Sequence, residues 1–125
     1  PEAAKAYLET AITELAAEGI IIDAENPIYI DVPTFTGSET FKNKEAVYKK
    51  CLEEMSDGKI IVNLVECPAS KDWLNAGYYP TTGAEGNFNM YDGSGWGPDF
   101  GDPKTYLDTL LPDGAGYMTK VMGVF

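Results

Sequence analysis

The sequence has no histidine, only two cysteines and no long uninterrupted apolar run. Without histidine, the usual Ser-His-Asp and Cys-His catalytic groupings and the common zinc sites cannot form. Cys51 and Cys67 are sixteen positions apart, which is not a metal-ligand spacing. Each falls on an apolar face, so they read as buried free thiols, with a disulfide as the alternative. A membrane-spanning helix needs about 20 consecutive apolar residues, and none is present. Basic residues are scarce, 9 against 20 acidic ones, for a net charge of −11. That balance argues against binding nucleic acid or an anionic membrane through a basic patch. It is compatible with a cationic ligand, or with acidity that only aids solubility. The start, Pro1-Glu2-Ala3-Ala4-Lys5, lacks the basic and apolar stretches of a signal peptide and reads as the first turn of a helix. With the apolar end at Val121 to Phe125, this points to a piece of a longer chain.

What is present is the patterning of one α/β domain. Its 125 residues are enough to bury roughly two-thirds of the unfolded surface. Residues 3–18 carry a helical stripe of Ala4, Tyr7, Leu8, Ala11, Ile12 and Leu15, and Gly19 follows as a C-cap. Residues 27–35 alternate around Ile28, Ile30 and Val32, the mark of a strand. Ser38 precedes a second helix at about 39–56, with an inward stripe of Lys44, Val47, Tyr48, Cys51, Leu52 and Met55. The Lys44 stem is expected to run along the edge of that face, and Asp57-Gly58 ends the helix. Residues 60–67 are apolar on both faces apart from Asn63 and Glu66, as in a central strand covered on two sides.

A strand, a helix and a second strand in this order make a parallel βαβ unit. A short helix is expected over 71–76, a loop over 79–86, and a third strand over 87–91 around Phe88 and Met90. After a glycine-rich loop, Asp102 reads as an N-cap and Pro103 as the first residue of a last helix, with Leu107, Leu110 and Leu111 facing inward. The expected class is α/β, a layered domain with a mainly parallel sheet. Ligands in such sheets bind beyond the carboxyl ends of the strands.

The loop Asp92-Gly93-Ser94-Gly95-Trp96-Gly97-Pro98-Asp99-Phe100-Gly101-Asp102 is the stretch richest in glycine, aromatics and carboxylates. A phosphate loop fits poorly, because the third glycine of the dinucleotide fingerprint is missing and three carboxylates would repel a phosphate. A calcium loop fits no better, with Trp and Pro where an EF-hand needs ligands and no closing Glu. A glycosidase pair, with a sugar stacked on Trp96 between Asp92 and Asp99, is not excluded by spacing. As plain structure, Trp96 and Phe100 would be packing residues, Asp102 a cap and the glycines turn formers.

The string Gly95-Trp96-Gly97-Pro98-Asp99-Phe100-Gly101-Asp102-Pro103, followed by Tyr106-Leu107, resembles a signature of the oligopeptide and dipeptide solute-binding proteins of ABC transporters. In that family a strand ends in Gly-Trp. An Asp three residues after the Trp, an aromatic, and Asp-Pro opening a helix then follow. The preceding Ile-Ile-Val-Asn-Leu-Val-Glu and Gly-Asn-Phe-Asn-Met segments agree, so the resemblance covers almost the whole chain. It implies that residues 1–125 are a single domain, a fragment of the C-terminal ligand-binding lobe of a two-lobed periplasmic-binding-protein-like fold. It further implies an extracytoplasmic, lipid-anchored protein that takes up oligopeptides and hands them to permease subunits, with no chemical step, cofactor or metal. By the same resemblance Asp99 would hold the α-amino group of the peptide. Trp96 would line the cleft, and the Gly97 backbone would contact the N-terminal end of the ligand. Pro98 departs from a backbone-donor role, since it has no N–H, and an extra residue between Met90 and Trp96 would shift the loop. The alternative from another class is a carbohydrate-active enzyme or sugar-binding module using the Trp96/Asp99 loop.

Overall fold

A computed structural model describes residues 2–92, Gly101 and Leu107. The order is α1 (Glu2–Ala17), β1 (Ile28–Phe35), α2 (Glu39–Met55), β2 (Ile60–Cys67), α3 (Ser70–Gly77) and a single 3₁₀ turn (Gly83–Glu85). The expected βαβ unit is there. β1 and β2 pair in parallel, from Ile28 beside Ile60 to Phe35 beside Cys67.

Local chemistry sets the boundaries. α1 stops in a Schellman cap, with the Ile20 N–H on the Leu15 carbonyl and the Gly19 N–H on the Ala16 carbonyl. Gly19 takes φ +84° there, as only glycine does without strain. α2 ends the same way, and Asp57 and Gly58 both adopt positive φ. Pro33 is tolerated within β1 because the even-numbered amides point across the pair, as Ile28 to the Lys59 carbonyl just before β2 and Thr36 to the Cys67 carbonyl show. The missing Pro33 N–H belongs to the outer edge, so the ladder loses nothing.

The core lies on the face of the sheet shared by the even-numbered residues, where Val32, Ile60 and Val62 are buried. Leu52 and Met55 of α2, Leu8 of α1 and Met90 pack against them. α3 lies over the opposite face, beside Pro33, Val65 and Cys67. The helices therefore sandwich the two strands, which is the expected α/β layering. α1 is a peripheral layer with no buried residue. Lys5 and Asp57 (2.6 Å), and Lys59 and Glu9 (2.6 Å), tie it to the turn between α2 and β2.

Several expectations need correction. Residues 87–91 do not form a third strand; instead they hydrogen-bond to β1 at one residue. Asn89 and Met90 donate their amides to the Asp31 carbonyl, and the Asn89 side-chain oxygen accepts the Asp31 N–H at 2.9 Å. That clasp satisfies the outer edge of β1 at Asp31 without a ladder. β2 is not central among the described residues, since it has a strand on one side only. The inward face of α2 is also rotated from the expected stripe. Val47 (57%), Tyr48 (40%) and Cys51 are exposed, whereas Glu45 is completely buried. Cys51 is thus not the buried thiol expected of it, whereas Cys67 is buried and free. The last helix, with Asp102, Pro103, Leu110 and Leu111, lies outside the described residues except for Leu107, which is exposed.

Candidate functional site

The residues expected to hold a ligand, Trp96, Gly97 and Asp99, lie outside the described residues. The structure does describe the ground from which that loop departs, as far as Asp92, the first residue of the glycine-rich stretch.

Three elements and a return segment meet there through a row of rings. Phe35 at the end of β1 meets Phe41 of α2 edge-on (6.2 Å between centroids). Phe41 meets Trp73 of α3 (5.4 Å), and Trp73 stacks on Tyr91 (4.8 Å). Phe88 leans on Tyr91 from the other side (5.2 Å). The Tyr91 hydroxyl donates to the Trp73 carbonyl at 3.1 Å. Gly77 is glycine for a reason of space, because a Cβ there would fall 2.5 Å from the Tyr91 ring. Such aromatic contacts are worth about 0.5–1.5 kcal/mol each beyond their area. Together they seat Tyr91 firmly, one residue before the glycine-rich loop begins.

Asp92 is then pinned to α2. Its carboxylate is ion-paired with Lys44, whose ammonium also sits 4.4 Å above the Phe41 ring centroid. The hydrogen bond to Asp92 raises the Lys44 pKa, so this lysine stays charged. Its side chain is half-buried, with its ammonium between Asp92 and Phe41. Because Lys44 takes up the Asp92 carboxylate, Asp92 is a poor candidate for the free carboxylate that a sugar-cleaving pair would need.

Glu45, next along α2, was missed by sequence reasoning. Its side chain has no accessible surface, though the protein over it is thin, and neither oxygen has a hydrogen-bond partner. Burial pushes its carboxyl pKa up, and the Asp92 charge adds to this; the Thr34 hydroxyl and Lys44 offset part of it. Thr34 spends its own proton on the Val32 carbonyl at 3.3 Å, leaving no well-formed bond to Glu45. The signal was available in the spacing, since Glu45 lies four residues after Phe41 and seven before Leu52, on the face that packs on the sheet.

Two shallow grooves of about 300 Å³ flank this region. One, between α3 and the sheet, is lined by Pro33, Val65, Cys67, Asp72, Asn75, Ala76 and Asn87. The other lies between the first half of α2 and the carboxyl end of β2, with Thr34, Thr36, Lys42, Leu64 and Glu66 among its walls. Burial raises the pKa of the Cys67 thiol at the first groove, which disfavours the reactive thiolate. Among the described residues no cluster of three His, Cys, Asp or Glu side chains could hold a metal ion, and no helix is long and apolar enough to cross a membrane.

No family model matches the chain. Curated proteins do. The chain is 30% identical over 121 residues to the oligopeptide-binding protein AliB of Streptococcus pneumoniae, which is 97% of this chain and 18% of that protein. It is 32% identical over 120 residues to the oligopeptide-binding protein AliA of the same species, 96% of this chain and 17% of AliA. The oligopeptide-binding protein SarA of Streptococcus gordonii is 29% identical over 119 residues, 94% of this chain and 17% of SarA. The chain thus spans less than a fifth of the length of the curated relatives it matches.

Proposed function

We propose, for a chain related along nearly its whole length to the oligopeptide-binding proteins, that it is part of a protein that binds oligopeptides outside the cytoplasmic membrane and delivers them to an ABC transporter permease. No chemical step is involved. Residues 1–125 are a single domain, a fragment of the C-terminal ligand-binding lobe of a two-lobed fold. A lipid anchor outside the fragment holds the protein at the membrane. The observation that carries this reading is the match of 121 of the 125 residues to AliB, a span that necessarily takes in residues 95–103.

The chemistry suits the residues. A peptide N-terminus is an ammonium group, and enclosing it in a cleft requires a fixed anion. Asp99 supplies that anion. Trp96 supplies an apolar wall and a π face beside the charge. Gly97 lets the backbone approach the ligand closely. Backbone hydrogen bonds to the rest of the peptide would leave side-chain preference broad. The net charge of −11 favours a cationic end group over an anionic one.

Calorimetry on the full-length protein tests this. A mixture of tripeptides to pentapeptides is titrated, then the same mixture N-acetylated, with Asp99→Ala alongside. Heat that disappears on acetylation and in the variant supports capture through the α-amino group. Removing one partner of such a pair costs on the order of 2–5 kcal/mol. No heat from any free peptide would sink the peptide reading.

A further inference from the structure

Glu45 is a buried titratable group that peptide capture does not use. It has no accessible surface and no hydrogen-bond partner on either oxygen. An ionised carboxylate in that setting is costly, whereas a neutral carboxyl is tolerated far better. The groups that bear on it come from each element around it. Lys44 lies on its own helix, with Tyr48 one turn on bearing on that lysine. From β1 comes the Thr34 hydroxyl, from β2 the Cys67 thiol, and from the return segment the Asp92 carboxylate. On α3, Asp72 faces Cys67, and the buried Trp73 indole N–H is likewise without a hydrogen-bond partner. Among these the only cation is Lys44, and it is already committed to Asp92.

We propose that Glu45 is held as a neutral carboxylic acid, and that its proton is the condition on which the Lys44–Asp92 clasp holds the return segment to α2. With the proton in place, one ammonium meets one carboxylate. When the proton leaves to solvent, two carboxylates, one of them fully buried, compete for one half-buried ammonium. The site relaxes by letting Asp92 go, because Glu45 is fixed within α2 with no accessible surface, whereas the Asp92 side chain keeps 24% exposure. The chain at Asp92 therefore has two states, fastened and released, selected by pH. This holds whether or not the ligand is a peptide, because every group involved lies at or before Asp92.

The test is a carboxyl-carbon NMR titration of the full-length protein, with the Glu45 signal assigned by its loss in Glu45→Gln. The expected midpoint lies above those of the exposed glutamates. It moves down in Asp92→Asn, which removes the competing anion, and up in Lys44→Met, which removes the cation. In parallel, amide exchange at Asn89 and Met90, whose N–H groups the Asp31 carbonyl accepts, is followed with pH against an unstructured reference peptide. Protection falls away above the midpoint in the wild type and persists in Glu45→Gln, which mimics the neutral acid. An ordinary Glu45 midpoint, or one that Asp92→Asn leaves in place, overturns the proposal. So does a Glu45→Gln protein whose exchange follows the wild type at every pH. If Lys44→Met does not fold, the Asp92→Asn and Glu45→Gln arms still decide it.

Discussion

Lys49 of α2 donates its ammonium to the Val62 carbonyl at 2.7 Å, and its ion-pair partner Glu53 accepts the Val62 N–H at 3.0 Å. Two side chains of one helix thereby stand in for a neighbouring strand at that residue of β2. Ser56 does the same one step earlier, accepting the Ile60 N–H at 3.0 Å. An exposed edge is a template for unwanted pairing, and here the first half of the β2 edge is closed by side chains.

The first prediction follows at Ser56, which is buried, as is Ile60. Ser56→Ala leaves the Ile60 amide buried without an acceptor, a loss of about 1–3 kcal/mol. Urea denaturation should show a lower midpoint with the slope unchanged. An unchanged midpoint would mean that water takes the place of the hydroxyl.

The second concerns acid and alkali. The Glu53 carboxyl pKa is lowered by the Lys49 hydrogen bond and then by the Val62 amide, whereas that of Glu45 is raised by burial. The signs are opposite. Glu53 binds its proton more weakly folded than unfolded, so its stabilisation is present above the ordinary value of 4.5 and is lost as pH falls through the lowered folded value. Glu45 binds its proton more tightly folded, so its contribution is complete below 4.5 and is lost as pH rises through the raised folded value. Thermal melts across pH should therefore show a smaller acid limb in Glu53→Gln, with Asp23 and Asp57 keeping the rest, and a smaller alkaline limb in Glu45→Gln. Parallel curves for wild type and both variants would refute the assignment.

Much of this frame was legible in the sequence, because periodicity and capping are local. Ile28, Ile30 and Val32 alternate as a half-buried strand must, and Gly19 sits where a left-handed cap is needed. What escaped was the work done by charged residues. Val47, Tyr48 and Cys51 complete an apolar stripe on paper. α2 instead buries Glu45 and turns Lys49 and Glu53 toward the sheet, where the β2 edge at Val62 takes them as polar partners. No hydrophobic period encodes that demand. The alternation at 87–91 misled similarly, since this segment hydrogen-bonds to β1 at Asp31 and builds no ladder. The candidate ligand residues were legible solely through the likeness of residues 95–103 to a known family. Spacing alone left phosphate, calcium and sugar readings to be weighed.

The third prediction is at Gly77. A methyl group there would lie 2.5 Å from the Tyr91 ring, and that ring is held by its stack on Trp73. Gly77→Ala should destabilise the protein by about 1–3 kcal/mol through overpacking and weaken the near-ultraviolet dichroism of the stack. A shortened partner, Tyr91→Leu, should recover part of the loss in the double variant. Strict additivity would argue against direct contact.

The last prediction uses the two tryptophans. Trp73 is 5% exposed and stacked on Tyr91, so a ligand should not reach it. If Trp96 walls the ligand, any fluorescence change on adding peptide belongs to Trp96 alone. Trp73→Phe should keep the change and the affinity. Trp96→Phe should lose the change but keep much of the affinity, since a phenyl ring still offers an apolar face. Trp96→Ala should weaken binding by about 1–2 kcal/mol, roughly five- to thirtyfold, as expected when a cation loses a desolvated aromatic face. A signal that survives Trp96→Phe and vanishes in Trp73→Phe would move the ligand onto the groove beside α3, lined by Asp72 and Asn75, and away from the glycine-rich loop.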